Sequence, residues 1–226
     1  MITWDLPGYL VAFTTREGGV STGVYASLNL TIGTGDDRGL VEENRRIACA
    51  ALGLDGTRLS FNRQVHSPTV HRAGARGEPG DGLWSDEPGQ PMLAMSADCL
   101  PIAVARTDGP RALAVLHAGW RGLAEGVVAA GAAALGDGPK AAMIGPAIGP
   151  CCYEVGEEVS ALYDEDLTVG GKLDLWSAAE RALRGAGVER VERADLCTHC
   201  NPGLFFSHRR SGRARGVQGV IGAVAG

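Results

Sequence analysis

The sequence lacks a long hydrophobic run and an excess of positive charge. Its most apolar stretch, residues 123–135, is too short to cross a bilayer and contains Glu125. No basic segment followed by an apolar one opens the chain, so a secretory signal is not expected. The 21 basic and 26 acidic residues leave a net charge of −5, which argues against wholesale binding to nucleic acid. We therefore expect a cytoplasmic protein that binds neither membranes nor nucleic acids.

Internal repeats and low-complexity segments are also absent from the sequence. A chain of 226 residues is long enough to bury one sizeable core, so we expect a single domain over residues 1–226. A hydrophobic content of 45% and a charged content of 21% are typical of a globular enzyme. The six cysteines of a cytoplasmic chain are expected to be reduced, so each is a ligand, a nucleophile or a core residue.

Short apolar runs alternate loosely with segments of helical periodicity, which favours an α/β or α+β fold. The predicted strands comprise residues 9–15, 59–65, 100–106, 111–116, 141–144, 188–191 and 204–208. The predicted helices comprise a segment capped by Asp36 or Asp37 and ending at Gly53, and residues 122–135, 156–163 and 174–185. Residues 74–89 contain five glycines and two prolines and are predicted to form a loop, either a solvated connection or a substrate-binding lid.

The centre of the chain holds a predicted hairpin with a thiol and an imidazole at one end. Cys99 directly precedes the first apolar run, and His117 directly follows the second. His66 ends another predicted strand, because Pro68 disfavours regular structure beyond Ser67. Two imidazoles and a thiolate can hold a catalytic zinc ion with one position open. Alternatively, Cys99 is a nucleophile and His117 is its base.

The long spacing between these three residues does not decide between the two interpretations. Asp98 could orient a cysteine–histidine pair, although neighbouring residues on a strand point to opposite faces. Cys197 and Cys200 have the spacing of half a structural zinc site, with Cys151 and Cys152 as the other half. Core or site-lining thiols are the alternative for these four cysteines.

Two arginine-containing segments are candidates for binding an anion. Arg16 opens a glycine-rich loop over residues 16–23, where exposed amides beside a guanidinium could form an anion-binding concavity. Residues 209–215 contain four arginines that could contact a phosphate or a nucleotide. An ordinary surface loop is the alternative in both cases.

Nine motifs span nearly the whole chain in order. They are TTREGGVS (14–21), SLNL (27–30), ENR (43–45), QVH (64–66), SADCLP (96–101), HAGWRG (117–122), IGPAIG (144–149), CT (197–198) and FSHRR (206–210). On these motifs the chain resembles the bacterial YfiH family, which is related to the laccase-domain protein of animals and often named polyphenol oxidase or purine nucleoside phosphorylase.

The resemblance implies a layered α/β/β/α sandwich and a zinc ion, or a copper ion, held by His66, Cys99 and His117. It implies phosphorolysis of adenosine, inosine, guanosine and methylthioadenosine with phosphate as the second substrate, and deamination of adenosine. The motifs suggest acid–base partners at Asp98, Cys151 and Glu154. They suggest substrate or phosphate contacts at Arg16, Ser21, Asn29, Arg209 and Arg210.

The chain departs from the family pattern at a few positions near the predicted site. Ser67 and Pro68 replace the more usual glycine after the first histidine, Gly80-Asp81-Gly82 stands where the family often has Ala-Asp, and Ser211 replaces threonine. These positions bear on the substrate-facing loops and leave the metal set intact.

Three other functions compete with the purine reaction. A four-copper laccase needs several His-x-His pairs, and this chain has five histidines and no such pair, so only a single-copper oxidase remains conceivable. A hydrolase could cleave an amide, for example in a cell-wall precursor, through the metal or through Cys99. A non-catalytic zinc protein is disfavoured because structural zinc sites fill all four positions with protein ligands.

Overall fold

The computed structural model describes residues 1–74 and 76–226. Its strands are β1 (Ile2–Thr3), β2 (Tyr9–Phe13), β3 (Ser60–Arg63), β4 (Val70–Arg72), β5 (Arg76–Pro79), β6 (Gly82–Ser85), β7 (Met92–Ser96), β8 (Leu100–Arg106), β9 (Leu113–Ala118), β10 (Lys140–Ile144), β11 (Thr168–Val169), β12 (Lys172–Leu173), β13 (Arg190–Arg193) and β14 (Gln218–Val224). Its α-helices are α1 (Arg38–Ala50), α2 (Trp120–Ala124), α3 (Val127–Ala134), α4 (Glu157–Ser160), α5 (Leu175–Gly185) and α6 (His208–Ser211). Within the described ranges, none of the helices combines the length and apolar character needed to cross a membrane.

Two mixed sheets form the middle of the molecule. One has the strand order β1-β2-β14-β7-β3-β5, and the other has the order β13-β10-β8-β9-β6-β4. The predicted central hairpin is confirmed as β8 and β9, which pair antiparallel with Pro101 opposite His117. This register brings the start of β8 and the end of β9 to the same edge of the second sheet.

The two sheets pack face to face, and helices cover both outer sides. Buried side chains of both sheets meet between them, among them Phe13, Met92, Val220, Leu113, Val115 and Met143. On the outer side of the first sheet, α1 shares a core with β7 and β14 through Ala48, Leu93 and Ile221. On the outer side of the second sheet, α3 and α5 share a core with β8 and β9. The expected α/β/β/α sandwich is therefore confirmed.

The prediction of a loop over residues 74–89 is wrong, because this segment contains β5 and β6. Ala75 lies outside the described residues. Strand β5 pairs with β3 in the first sheet, whereas β6 pairs with β4 and β9 in the second. The change of sheet takes place at Gly80 and Asp81. Glycine here allows close packing, since a Cβ at Gly80 would lie 2.9 Å from the ring of His71 and one at Gly82 2.6 Å from Leu116. These glycines serve packing within the sheets and do not indicate a loop.

The C-terminal segment also differs from its prediction. The expected strand over residues 204–208 is absent from the described chain, where Ser207 instead caps α6 by accepting a hydrogen bond from the amide of Arg210. Strand β14 was not predicted, although it lies fully buried between β2 and β7. The predicted helix over 122–135 is divided into α2 and α3 at Gly126, which has a φ of +94°. The other predicted elements occur within a few residues of their expected bounds.

Candidate active site

Cys99 and His117 come together at the end of the central hairpin. Cys99 directly precedes β8, and His117 is the second-last residue of β9. Gly119 lets the chain pass close behind them, because a Cβ at this position would lie 2.5 Å from a ring carbon of His66 and 3.1 Å from the sulfur of Cys99. A glycine is therefore required where the hairpin leads into α2.

His66 reaches the same place from the first sheet. The side chain of Gln64 exchanges hydrogen bonds with the main chain of Met95, at 2.6 and 2.7 Å, which fixes the segment after β3 beside the end of β7. His66 then adopts a φ of +61° and places its Nε2 atom 3.7 Å from the sulfur of Cys99. Its ring meets the ring of His117 edge-on, with centroids 4.9 Å apart. The structure thus brings together the three residues that were predicted as a metal set.

Asp81 joins the two halves of this cluster and was missed as a site residue from the sequence. Its buried carboxylate accepts hydrogen bonds from Nδ1 of His117 at 2.8 Å and from the amides of Val65, His66 and Ser67 at 3.1, 3.0 and 2.7 Å. Its carbonyl accepts a further bond from the amide of His117 at 2.7 Å. These contacts hold the strained backbone of His66 and leave Nε2 of His117 as the ring nitrogen that faces Cys99.

The charges at the cluster favour a thiolate. Burial disfavours ionisation of Cys99, but the neighbouring charge of His117 and hydrogen bonds from both histidines outweigh it and lower the pKa of Cys99 to about 6. Burial likewise opposes ionisation of Asp81, yet its hydrogen bonds with His117 and the amides bring the pKa of the carboxyl well below its usual range. Burial disfavours a charged His117, but Cys99 and Asp81 outweigh it and raise the pKa of His117 to about 9. Without a metal the site therefore holds a thiolate beside an imidazolium whose orientation is fixed by a carboxylate.

The donor set fits a borderline-soft metal ion. One nitrogen of each histidine and the sulfur of Cys99 all lie within 4.8 Å of one another. Among residues 1–74 and 76–226, no fourth histidine, cysteine or carboxylate belongs to this group. Two imidazoles and a thiolate suit zinc or copper, and a three-residue set leaves a position for a small molecule.

The cluster opens onto a cavity of about 870 Å³. Its walls carry aromatic side chains (Phe61, Trp120, Tyr153), amides (Asn62, Gln64) and guanidinium groups (Arg45, Arg63, Arg209, Arg215). Burial raises the pKa of Tyr153, so its hydroxyl stays protonated. For Arg215, the Nε atom is buried and has no hydrogen-bond partner among the described residues. Such a cavity is large enough for a drug-sized ligand and offers both stacking faces and cationic donors.

The candidate acid–base residues lie in different surroundings. Asp98 lines the cavity with a φ of +87°, and its carboxylate accepts hydrogen bonds from Thr198, Ser207 and the amide of Arg209 at 2.6, 3.0 and 2.7 Å. Cys151 and Glu154 are exposed and do not belong to the cavity lining. The sulfur of Cys151 lies beside that of Cys200 instead.

Most of the candidate substrate-binding residues are engaged in internal hydrogen bonds. Arg16 donates to the carbonyls of Ala26 and Pro202, and Arg210 donates to the carbonyls of Thr198, His199 and Phe205. Ser21 and Asn29 are buried and both donate to Asp36. Arg209 alone of the five lines the cavity, with its guanidinium 5.5 Å from the ring centre of Tyr153.

A layered sandwich that presents a His–Cys–His set at the wall of a large cavity defines the class of this protein. Residues 10–224 match the family described as multi-copper polyphenol oxidoreductase laccase, and the chain belongs to that family. It is 37% identical over 228 residues to the purine nucleoside phosphorylase YfiH of Shigella flexneri, covering 92% of this chain and 91% of that protein. It is 33% identical over 236 residues to a purine nucleoside phosphorylase of Haemophilus influenzae, covering 96% of each.

Solved structures show the same architecture. A Neisseria meningitidis protein superimposes with a TM-score of 0.90 at 34% identity, covering 100% of this chain and 99% of that one. YlmD from Geobacillus stearothermophilus superimposes with a TM-score of 0.88 at 31% identity, covering 97% and 93%. The resemblance drawn from the sequence motifs is therefore confirmed.

Proposed function

We propose that this chain is a zinc-dependent purine nucleoside phosphorylase that also deaminates adenosine. Its substrates are adenosine, inosine, guanosine and methylthioadenosine, with inorganic phosphate as the second substrate of phosphorolysis. The observation that carries the proposal is the opening of the His66–Cys99–His117 cluster onto a cavity of about 870 Å³. The names of the relatives support the reaction, because several of them are called purine nucleoside phosphorylase.

The three clustered residues hold the metal in this proposal. A bound zinc ion supplies Lewis acidity next to the cavity. Asp81 accepts a hydrogen bond from Nδ1 of His117, so that Nε2 is the nitrogen that faces the cluster and would bind the metal after losing its proton. Cys99 takes part as a thiolate because the histidines lower its pKa.

The cavity walls provide the remaining functions. Phe61, Trp120 and Tyr153 offer flat apolar surface on which a purine base can stack. Arg209 and Arg215 offer guanidinium groups, the best donors for a phosphate, and the unpartnered Nε of Arg215 gains a hydrogen bond when an anion binds. Phosphorolysis needs such a phosphate beside the bond between ribose and base.

We assign supporting roles to several residues that the motifs suggested as substrate contacts. Arg16 and Arg210 tie chain segments together through main-chain carbonyls, and Ser21 and Asn29 build the buried network around Asp36. Asp98 anchors the C-terminal segment that carries Arg209. Cys151 and Glu154 lie outside the cavity lining and are not assigned to the purine reaction.

The test is product analysis on the zinc-loaded protein. Adenosine is incubated with and without phosphate, and adenine and inosine are separated and measured. His66→Ala, Cys99→Ala and His117→Ala are assayed beside a control, His71→Ala, which removes a histidine that does not line the cavity. We expect phosphate-dependent adenine and phosphate-independent inosine from the wild type and the control, and neither from the three variants, which should lose the zinc ion of this cluster together with activity.

Hydrolysis of an amide is the second candidate, and the lowered pKa of Cys99 favours it as a thiolate nucleophile. If a protein that holds zinc at the cluster forms neither adenine nor inosine, the purine proposal is wrong, and amide substrates become the next test. A cysteine mechanism would also keep its activity after zinc removal, whereas the proposed one would not.

A further inference from the structure

A second cluster of metal-binding side chains lies outside the candidate active site. Cys151 and Cys152 occupy the turn after β10, and Cys197 and Cys200 lie in the segment after β13. Their four sulfur atoms all lie within 4.8 Å of one another. The two pairs are far apart in sequence, so the fold itself brings them together.

The spacing of these sulfurs suits one tetrahedral ion. Four Zn–S bonds of about 2.3 Å place neighbouring sulfurs about 3.8 Å apart. The sulfur of Cys200 lies 3.7 Å from that of Cys151 and 3.4 Å from that of Cys152. Sulfur is the preferred donor of structural zinc sites, which use four protein ligands and leave no open position.

The backbone around the cluster is fixed independently of any ion. The amides of Ala147 and Thr198 donate to the carbonyls of Leu196 and Ala147, at 3.2 and 3.1 Å, and join the two segments. The amide of Gly149 donates to the sulfur of Cys197 at 3.3 Å, a contact that stabilises a thiolate. The ligands are thus held in place before an ion arrives.

The surroundings of the cluster also favour an ion. Cys151 and Cys200 are exposed, so a metal can enter from solvent, whereas Cys197 is buried behind them. Lys172 donates to the carbonyl of Cys151 at 3.0 Å and brings a positive charge close to the thiols. This cation offsets part of the net negative charge that four thiolates leave on a divalent ion.

We propose that Cys151, Cys152, Cys197 and Cys200 form a structural zinc site. Zinc binding displaces the four thiol protons to solvent and changes no oxidation state. The site ties the turn after β10, which carries the cavity residues Ile148 and Tyr153, to the segment that holds Thr198. Thr198 donates to Asp98, so the zinc ion stabilises the cavity wall from behind. This role is separate from the purine reaction.

The experiment counts metal ions in the full-length protein. Protein purified without oxygen and with a reductant is freed of loose metal, and its zinc and iron are measured by mass spectrometry. We expect two zinc ions per chain in the wild type, one in Cys152→Ser/Cys200→Ser, one in His66→Ala and none in the combined variant. Cys49→Ala is the matched control, because Cys49 is buried on α1 outside the cluster, and it should keep two.

Cobalt substitution identifies the ligands. Co²⁺ in a four-thiolate site gives intense visible bands and strong thiolate-to-metal charge transfer. Most of this absorption should be lost in Cys152→Ser/Cys200→Ser, which keeps only the weaker charge transfer from the single thiolate of Cys99, and it should persist in His66→Ala. Equal zinc contents in the wild type and the double cysteine variant would overturn the proposal. A disulfide among the four cysteines in the anaerobically purified protein, or iron in place of zinc, would overturn it as well. None of these readouts depends on the purine reaction.

Discussion

At the scale of single residues, Asp81 is the residue on which the candidate active site depends most. It contacts two of the three clustered residues, orienting the ring of His117 by a side-chain hydrogen bond and holding the backbone of His66. A metal ligand whose second ring nitrogen bonds a carboxylate is fixed in tautomer and orientation. The geometry of the cluster should therefore be sensitive to Asp81 although this residue is not itself a ligand.

Replacing Asp81 with asparagine should weaken zinc binding without removing a ligand. Asparagine keeps the size of the side chain but loses the charge and presents an NH₂ group to amides that also donate. We expect a loss of about 10–100-fold in zinc affinity, the usual effect of changing a residue that orients a ligand. Competition with a chromophoric chelator measures the affinity.

The matched control is Asp86→Asn, because Asp86 pairs with Arg72 at the surface of the same region. An exposed ion pair contributes little, so its zinc affinity should equal that of the wild type. An unchanged affinity in Asp81→Asn would show that the ligands are held by other contacts.

Arg215 is the cavity cation whose contribution to phosphate binding is easiest to isolate. If it binds phosphate as proposed, Arg215→Gln removes a charge-assisted hydrogen bond worth about 1.5–3 kcal/mol, or roughly a 10–150-fold rise in KM for phosphate. Phosphate-independent deamination should change much less. Initial rates at varied phosphate concentration measure both effects.

Arg213→Gln is the control for this variant, since Arg213 is exposed in the same loop and does not line the cavity. Arg215→Lys should recover part of the phosphate affinity because it restores the charge without the planar donors. Equal KM values in Arg215→Gln and the wild type would assign phosphate to another cation.

At the scale of elements, the sequence predicted the hairpin of β8 and β9 well because both strands are continuous apolar runs. The same analysis made no prediction for β14 and placed β6 in a loop, since glycine interrupts the apolar pattern of both strands. A Cβ at Gly219 would lie 2.2 Å from the carbonyl of Ala94, so close contact between strands excludes a side chain there. Glycine was interpreted as a loop signal, whereas here it allows strands to pack closely. Asp81 was missed for this reason, since it lies between β5 and β6 in the segment that was predicted to be a loop.

The roles of the other candidate site residues could not be predicted, because they depend on contacts between segments that are distant in the sequence. The clustering of His66, Cys99 and His117 was predicted because each lies next to an end of a predicted strand within a specific motif. Asp98 and Arg210 lie in equally specific motifs, yet most of their polar atoms bond to other parts of the chain. The motif alone does not tell whether such a residue contacts the substrate or forms hydrogen bonds within the protein.

Asp98 joins two elements, the central hairpin and the C-terminal segment, and its substitution should destabilise the protein. In Asp98→Asn one carboxylate oxygen becomes an NH₂ group, so that either the donor of Thr198 or the donors of Ser207 and Arg209 lose their acceptor. Each buried donor left unsatisfied costs about 1–3 kcal/mol. We expect the free energy of unfolding to fall by at least this amount in denaturant titrations without substrate.

Asp195→Asn is a closely matched control, because Asp195 also has a positive φ, of +49°, and asparagine tolerates that conformation. Asp195 is paired at the surface with Arg193, so its substitution should change the unfolding free energy little. If Asp98→Asn unfolds like the wild type but loses activity, Asp98 acts on the substrate and is not mainly an anchor.

At the scale of the whole molecule, the His66–Cys99–His117 cluster draws residues from both sheets. His66 follows β3 in the first sheet, whereas Cys99 and His117 belong to the central hairpin of the second. An ion held by all three residues therefore binds only when the sheets are packed together. Because the unfolded chain does not hold these residues together, binding free energy adds to the stability of the fold.

Zinc bound at this cluster should accordingly stabilise the protein even when the second cluster is disabled. The Cys152→Ser/Cys200→Ser variant isolates it, because that variant keeps the three cluster residues and lacks two thiols of the second cluster. A free zinc concentration of about 100 times the Kd should add about 2.7 kcal/mol to the unfolding free energy. For a chain of this length, that corresponds to a rise in Tm of roughly 5–11 °C. Adding His66→Ala to the same variant should abolish the rise, since the link between the sheets is then lost. A rise that survives His66→Ala would mean that zinc stabilises the fold elsewhere and that the cluster does not connect the sheets through a metal.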